Sequence, residues 1–272
     1  MIATYPSQEK VDNAVDRVLN ESISASRLNL FHSCRLKFYF RYILRLKKPV
    51  GVALHVGRAV HAALQDWNKR RWLGKPSGVD MLKEAFESHW QADGAEEPVS
   101  FEEKEEEVEK LKAWNVVEMY LRDTPIPIGE KPEGVEVEVE ADLSCHGLPK
   151  LRGFIDLVRP GGRIVDFKTS ATSPNEEMAF HRNELQLTLY GILYRDATGR
   201  KEGGFELHHL VKTKTPKLVV TTHDPVTVKQ KDKLFRSIDS FLEGVEREDW
   251  VSSPGLQCVS CEFFNECKGG LR

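Results

Sequence analysis

The spacing of apolar residues predicts that the first part of the chain is helical. From Ser26 to Lys48 apolar residues recur at steps of three and four, the period of an amphipathic helix, with Cys34 on its inward face. The same period predicts helices from about Val56 to Leu73 and from Met81 to Ala92.

A further helix is predicted before the first proline-rich break. Ser100 followed by Glu103 resembles a capping box, which predicts a helix that runs through Arg122. The acidic run Glu102 to Glu109 then forms its solvated face.

After Gly134 the pattern changes to the two-residue period of a strand. Apolar residues between Val135 and Leu143 alternate with acidic ones, so one face is buried and the other is wet. Two more strands, Lys150 to Arg159 and Arg163 to Thr169, flank Pro160-Gly161-Gly162, a sequence typical of a hairpin turn.

The rest of the chain returns to alternating elements. The pattern predicts a helix from Glu176 to Arg195, strands near Phe205 to Lys212 and Leu218 to Thr222, and a last helix from Val226 to Glu246. Helices, three strands, a helix, two strands and a helix make an α/β fold.

Composition narrows the possible classes of protein. The 272 residues, 40% of them hydrophobic, can bury one substantial core, so we expect one domain with insertions. A net charge of −3 and a pI near 6.3 are no global sign of nucleic-acid binding. Met1 to Glu21 has no apolar signal region and no later stretch is long enough to span a membrane, so we expect a soluble, intracellular (cytoplasmic) protein.

Candidate chemistry is concentrated on the predicted hairpin. A three-residue loop pairs Arg159 with Arg163, and counting outward places Asp156 opposite Asp166. Like charges about 5 Å apart repel, and a bound cation such as Mg²⁺, which prefers oxygen ligands, would turn this repulsion into a site. Lys168 projects from the same face and can act on a water molecule or on developing phosphate charge. The alternative is a set of ordinary solvent-facing charges.

Here the sequence resembles a family. Gly153-x-x-Asp156, Asp166-x-Lys168 and Gln186-x-x-x-Tyr190 resemble the successive motifs of RecB-like PD-(D/E)XK nucleases, which include AddB nuclease domains and CRISPR-associated adaptation exonucleases. Gly57-x-x-x-His61 lies where that family carries a metal-ligating histidine.

The resemblance implies a fold and a set of roles. The fold is a PD-(D/E)XK nuclease core, a mixed central sheet flanked by helices, in one domain over residues 1–272 with a helical insert at 73–132. Mg²⁺ or Mn²⁺ would be held by His61, Asp156, Asp166 and the backbone carbonyl of Phe167, with Lys168 as the catalytic lysine. Many members have Glu in place of Asp166.

For three of these residues, a purely structural role is the alternative. Gln186 and Tyr190 share a helix face and can reach the hairpin or the DNA backbone, or serve only in helix packing. A lone helical histidine such as His61 is also often structural.

The cysteines predict a second metal centre. Cys258-x-x-Cys261 and Cys267 have spacings that let thiolates converge on a metal, and Cys34 is the obvious fourth ligand. The arrangement resembles the 4Fe-4S clasp of the AddB and CRISPR-associated nucleases, which joins the two ends of the chain. It would place a C-terminal cysteine clasp at residues 258–272. A Cys₄ zinc site and unligated thiols remain alternatives, and Cys145 is expected to be a packing residue.

A basic stripe is the candidate DNA-binding surface. Between Arg27 and Lys48 there are seven basic residues and no acidic one. Four of them follow helical spacing and can neutralise phosphates, or can simply form a solvated face: Lys37, Arg41, Arg45 and Lys48. Lys69-Arg70-Arg71 forms a second patch.

These observations together predict a metal-dependent DNA nuclease, an exonuclease acting on single-stranded ends. One rival is a non-catalytic DNA-end-binding or assembly subunit of a helicase–nuclease or CRISPR adaptation complex, and another is a site-specific endonuclease, for which no recognition domain is evident. No G-x-x-x-x-G-K-[ST] sequence occurs, so a helicase would be a separate partner.

Overall fold

A computed structural model describes residues 7–96, 99–144 and 147–270, so Cys145 lies outside the described residues. The chain forms two compact units, and the single nuclease domain over residues 1–272 stays a prediction. The first takes in the described residues of Met1–Lys48, Glu140–Gly153 and Thr227–Arg272, and the second comprises Pro49–Val139 and Phe154–Val226. Among the described helices, none carries an apolar stretch that could span a lipid bilayer.

The first unit begins with a helix that we did not predict. Helix α1 (Gln8–Asn20) buries Val11, Ala14, Val15 and Val18 on one face. The single helix predicted from Ser26 to Lys48 is wrong. Cys34 has an extended backbone (φ −165°, ψ 107°) that divides α2 (Ala25–Ser33) from the short α3 (Arg35–Phe38), and a π-helical turn follows at Tyr39–Ile43.

Aromatic packing joins these helices to α8 (Val228–Glu246). The ring centroid of Phe241 lies 5.1 Å from that of Phe31 and 5.5 Å from that of Phe38. A Cβ atom on Gly244 would lie 2.5 Å from Phe31, so α8 can approach α2 only with glycine there. Thr227 caps α8 through a reciprocal box with Gln230.

The second unit contains α4 (Val52–Leu73), α5 (Val79–Glu96) and α6 (Glu105–Asp123). The predicted capping box of Ser100 and Glu103 is wrong. Lys104 has a left-handed backbone (φ 63°) before α6, and the backbone N–H of Glu102 donates to the Glu105 carboxylate at 2.8 Å.

A five-stranded mixed sheet has the order β1-β2-β3-β4-β5. Its strands are β1 (Gly134–Ala141), β2 (Leu151–Arg159), β3 (Arg163–Ser170), β4 (Phe205–Val211) and β5 (Lys217–His223). Strands β2 and β3 pair antiparallel, β3 and β4 parallel, and β4 and β5 antiparallel, while α7 (Glu176–Thr198) connects β3 to β4. The predicted α/β fold with a mixed sheet is confirmed.

The hairpin between β2 and β3 sets the register of the site. Arg159 pairs with Arg163 and Leu157 with Val165, as the three-residue loop predicts. Gly161 and Gly162 have φ values of 79° and 70°, which favour glycine. Val165 and Phe167 are buried in the core with α4 and α6, so Asp166 and Lys168 point to the opposite face.

Candidate active site

The candidate site lies where the pairing of β2 with β3 ends. The ladder runs from Arg159↔Arg163 to Leu157↔Val165, one step short of Asp156 and Asp166. At the next step the backbone N–H of Phe167 donates to Oδ2 of Asp156 at 2.8 Å. The Asp156 side chain therefore takes a backbone donor of β3, and the two acids lie at the opening of the hairpin.

Asp166 is almost fully buried, with 2% of its surface exposed. Its Oδ1 accepts a hydrogen bond from Nε2 of Gln186 at 2.9 Å. Its Oδ2 lies 2.8 Å from Nζ of Lys168, yet it receives no hydrogen bond of acceptable geometry from the described residues. Burial raises the pKa of Asp166 and so does Asp156, against the opposing charges of Lys168 and His61. Oδ2 of Asp166 is thus an acceptor that a bound cation would satisfy.

Gln186 connects the acid, the lysine and a tyrosine. Its Oε1 accepts from Nζ of Lys168 at 2.8 Å, and its Nε2 donates to the hydroxyl of Tyr190, also at 2.8 Å. Tyr190 is 8% exposed, and burial followed by the charge of Asp166 raises its pKa far above the usual value. The phenol therefore stays neutral and acts as a hydrogen-bonding partner.

His61 reaches the same site from α4. Its Nδ1 lies 3.6 Å from Oδ1 of Asp156, and its ring meets that of Phe167 edge-on at 6.1 Å between centroids. Burial lowers the pKa of His61, but the charges of Asp156 and Asp166 outweigh burial and raise it. A Cβ on Gly57 would lie 3.2 Å from Oγ1 of Thr169, so glycine lets α4 pack closely against β3.

The donor set suits a hard or borderline divalent cation. Imidazole nitrogen and carboxylate oxygens are ligands for Mn²⁺, and carboxylates with water suit Mg²⁺. The buried Oδ2 of Asp166, which has no hydrogen-bond donor among the described residues, fits such a role. In the described part of the chain, no three His, Cys, Asp or Glu side chains are already arranged as ligands of one metal ion.

Two neighbouring residues were missed in the sequence. Glu136 on β1 has a left-handed backbone (φ 49°), and its pKa is raised by partial burial and by the charge of Asp156. His209 on β4 pairs with Lys168 in the ladder, and its buried Nε2 has no hydrogen-bond partner among the described residues. The alternation of β1 already placed Glu136 on a wet face, whereas only the sheet order brings His209 beside Lys168.

The four predicted cluster ligands line one cavity in the first unit. Cys34, Cys258, Cys261 and Cys267 all border it, and all are free thiols. Burial and the three other cysteines raise the pKa of the Cys267 thiol. As described above, no ligand set for a single metal ion is formed in the described residues.

The predicted DNA-binding stripe is paired with carboxylates. Lys37 and Arg41 both bind Glu262, the former at 2.8 Å, and Lys48 binds Glu266 at 2.5 Å. Arg45 lies 3.6 Å from Glu21. These acids lie far away in sequence or before the stripe, so inspection of the stripe alone could not reveal them. The DNA-binding role of the four residues stays a prediction, with their charge locally compensated.

One family model matches most of the chain, and the solved structures bear on the fold alone. The model of the PD-(D/E)XK nuclease superfamily matches residues 22–268. A solved structure from Eubacterium rectale, described as a "putative exonuclease", superimposes with a TM-score of 0.61 at 16% identity, covering 96% of this chain and 94% of that one. The structure of SSO0001 covers 97% of each chain at 11% identity, with a TM-score of 0.37. No curated protein matches the chain.

Proposed function

This chain belongs to the PD-(D/E)XK nuclease superfamily, and from that premise we propose that it is a metal-dependent nuclease that hydrolyses phosphodiester bonds in DNA. The observation that carries the proposal is the meeting of Asp166, Lys168 and Gln186 beside Asp156 and His61. The residues come from α4, the β2–β3 hairpin and α7, yet they form one connected polar group within the second unit.

We assign the metal to His61, Asp156 and Asp166, with the backbone carbonyl of Phe167 as a further donor. A bound Mg²⁺ or Mn²⁺ would polarise the scissile phosphate and acidify a water molecule. Lys168 orients the water or offsets negative charge on the phosphate as the water oxygen bonds to phosphorus and the P–O bond to the leaving oxygen breaks. Gln186 positions Lys168 and Asp166 together, and Tyr190 holds Gln186.

The test is degradation of end-labelled linear and of circular single-stranded DNA with Mg²⁺ or Mn²⁺. Asp156→Ala and Asp166→Ala should abolish cleavage, while Lys168→Ala should slow it about a hundredfold because a preorganised contact typically supplies about 3 kcal/mol. His61→Ala should weaken metal affinity and recover partly at higher Mn²⁺. Thermal melting controls for folding. Unchanged cleavage by Asp166→Ala or Lys168→Ala would refute the assignment.

We propose exonucleolytic action on single-stranded ends. The description of the Eubacterium rectale protein as a "putative exonuclease" motivates this, and the circular substrate tests it, because an exonuclease spares DNA without ends. Cleavage of the circle would favour the endonuclease alternative. A well-folded protein that binds ends but cleaves neither substrate would favour a non-catalytic assembly subunit.

We also propose that Cys34, Cys258, Cys261 and Cys267 hold a 4Fe-4S cluster, as in the RecB-like branch that contains AddB. Their shared cavity supports this. A single zinc ion with Zn–S bonds of about 2.3 Å needs thiolates that converge closely on one point, whereas a cluster offers each cysteine its own iron. Iron and sulfide analysis of anaerobically purified protein tests it.

The resemblance to RecB-like nucleases also suggests a biological partner. Because the sequence lacks a nucleotide-binding P-loop, we propose that strand separation is supplied by a separate helicase or by a CRISPR adaptation complex. Co-purification from cells that express the tagged chain would identify which.

A further inference from the structure

A row of side chains on α7 leads from the candidate active site to the surface. Arg182, Gln186 and Tyr190 follow at four-residue intervals, so they share one helix face. Tyr190 is buried, Gln186 is half-buried and Arg182 is exposed. Since four residues of helix span about 6 Å, the guanidinium of Arg182 emerges one turn from the glutamine that contacts Asp166 and Lys168.

Arg182 differs from the basic residues predicted to bind DNA. Within the described residues it has no ion-pair or hydrogen-bond partner, whereas Lys37, Arg41 and Lys48 each bind a glutamate. An arginine without a carboxylate partner keeps its full attraction for phosphate and its five N–H donors.

An exposed aromatic ring lies on the strand that carries Asp156. Phe154 is 43% exposed on β2, although its neighbour Ile155 is fully buried. Phe154 and Asp156 are two residues apart on the strand, so their side chains project from the same face about 6.6 Å apart. Asp156 opens on the face of the sheet that Gln186 of α7 approaches through Asp166.

We propose that Arg182 and Phe154 both contact a single-stranded DNA path that crosses the active site. Arg182 binds a backbone phosphate, and Phe154 stacks on an unpaired base. The inference deepens the proposed nuclease function and rests on it. Bases in a duplex are already stacked and paired, so a stacking residue beside the ligand Asp156 selects unpaired DNA.

The test is equilibrium binding of a labelled single-stranded oligonucleotide and of its duplex without divalent cation, which keeps cleavage out of the measurement. Arg182→Ala should reduce the slope of log affinity against log salt by about 0.7, the value for one phosphate on a single strand. Phe154→Ala and Phe154→Leu should weaken single-strand binding roughly 5- to 150-fold, since leucine keeps apolar area but cannot stack, and should leave the duplex unchanged.

Two exposed residues of the same unit serve as controls. Arg122→Ala removes an arginine whose partner is the adjacent Asp123, and Trp72→Ala removes an aromatic that is also 43% exposed. A series of oligonucleotides, each with one abasic position, locates the stacked base. One of them should bind wild type and Phe154→Ala equally tightly, because it lacks the base on which Phe154 stacks. The proposed path would be overturned if either test variant bound single-stranded DNA as its control variant does. It would also be overturned if Phe154→Ala weakened duplex binding as much as single-strand binding.

The outcome separates the path from the proposed function. A wild type that cleaves while both test variants match the controls rejects the path and keeps the nuclease. A wild type that never cleaves, but whose binding changes as expected in both variants, keeps the path and rejects the nuclease.

Discussion

Nζ of Lys168 lies 2.8 Å from Oδ2 of Asp166, a carboxylate whose side chain is only 3% exposed. The two residues alternate on β3, so they share a face, and Gln186 binds both. Lys168 and His61 offset the negative charge of Asp166, while burial and the charge of Asp156 act against its ionised form. The ionised acid is thus held at a cost that a bound cation would relieve.

Asp166→Asn should therefore abolish cleavage without destabilising the fold. Asparagine has the same shape and retains an oxygen for Gln186, and Lys168, 29% exposed, can turn to water. We expect nuclease activity to fall at least about a hundredfold, with the free energy of unfolding within about 1 kcal/mol of wild type or higher. Cleavage assays and denaturant unfolding measure both. A loss of about 3 kcal/mol or more would identify a structural ion pair instead.

Gly57→Ala should lower activity by displacing α4. Alanine in place of a helical glycine normally stabilises by up to about 1 kcal/mol, but the new Cβ would lie 3.2 Å from Oγ1 of Thr169 and push the helix that carries His61. The control is Gly94→Ala on α5, whose Cβ meets only an ordinary contact at 3.8 Å.

We expect Gly94→Ala to gain stability and keep activity, and Gly57→Ala to gain little and to lose activity several-fold. Adding Thr169→Ala to Gly57→Ala should restore activity, because it removes the crowded atom. If the double variant stays as slow as Gly57→Ala, the close packing of α4 on β3 does not position His61.

Tyr190→Phe distinguishes the packing role of the Tyr190 ring from a catalytic role of its hydroxyl. Phenylalanine keeps the buried ring but removes the hydroxyl that accepts from Gln186, which should cost about 1 kcal/mol of unfolding free energy. Because Gln186 still binds Asp166 and Lys168, we expect only a few-fold loss of kcat. A hundredfold loss with unchanged stability would instead show that the hydroxyl contacts the substrate.

Local patterns predicted the elements near the hairpin well. Alternation and turn chemistry predicted the β2–β3 register correctly at every paired residue, because the Pro160-Gly161-Gly162 loop allows few hairpin registers. The same reasoning failed at Cys34, whose apolar spacing continues through a break in the helix. Periodicity reports which face is buried, and two short helices in sequence can bury the same face as one.

Long-range contacts account for what the sequence did not reveal. Lys37 and Lys48 form ion pairs with Glu262 and Glu266, which lie more than 200 residues later in the chain. The sequence around the two lysines does not indicate these partners. His209 comes beside Lys168 only because β3 and β4 are parallel neighbours. Such partners depend on topology, which local spacing does not encode.

Cys34→Ser provides the last prediction, since it tests the proposed cluster against both alternatives. Cys34 is the residue before α3, and its side chain makes no capping hydrogen bond there. Serine is a preferred N-cap, so in the metal-free chain any effect of the substitution on stability should be favourable. A lower melting temperature of the iron-loaded protein would therefore report a lost ligand. We expect about four irons per wild-type chain, substantial iron loss in Cys34→Ser, and no change in Cys145→Ser, the matched control. Stoichiometric zinc without iron or sulfide would establish a Cys₄ zinc site, and equal losses in both variants would show that Cys34 is not a specific ligand.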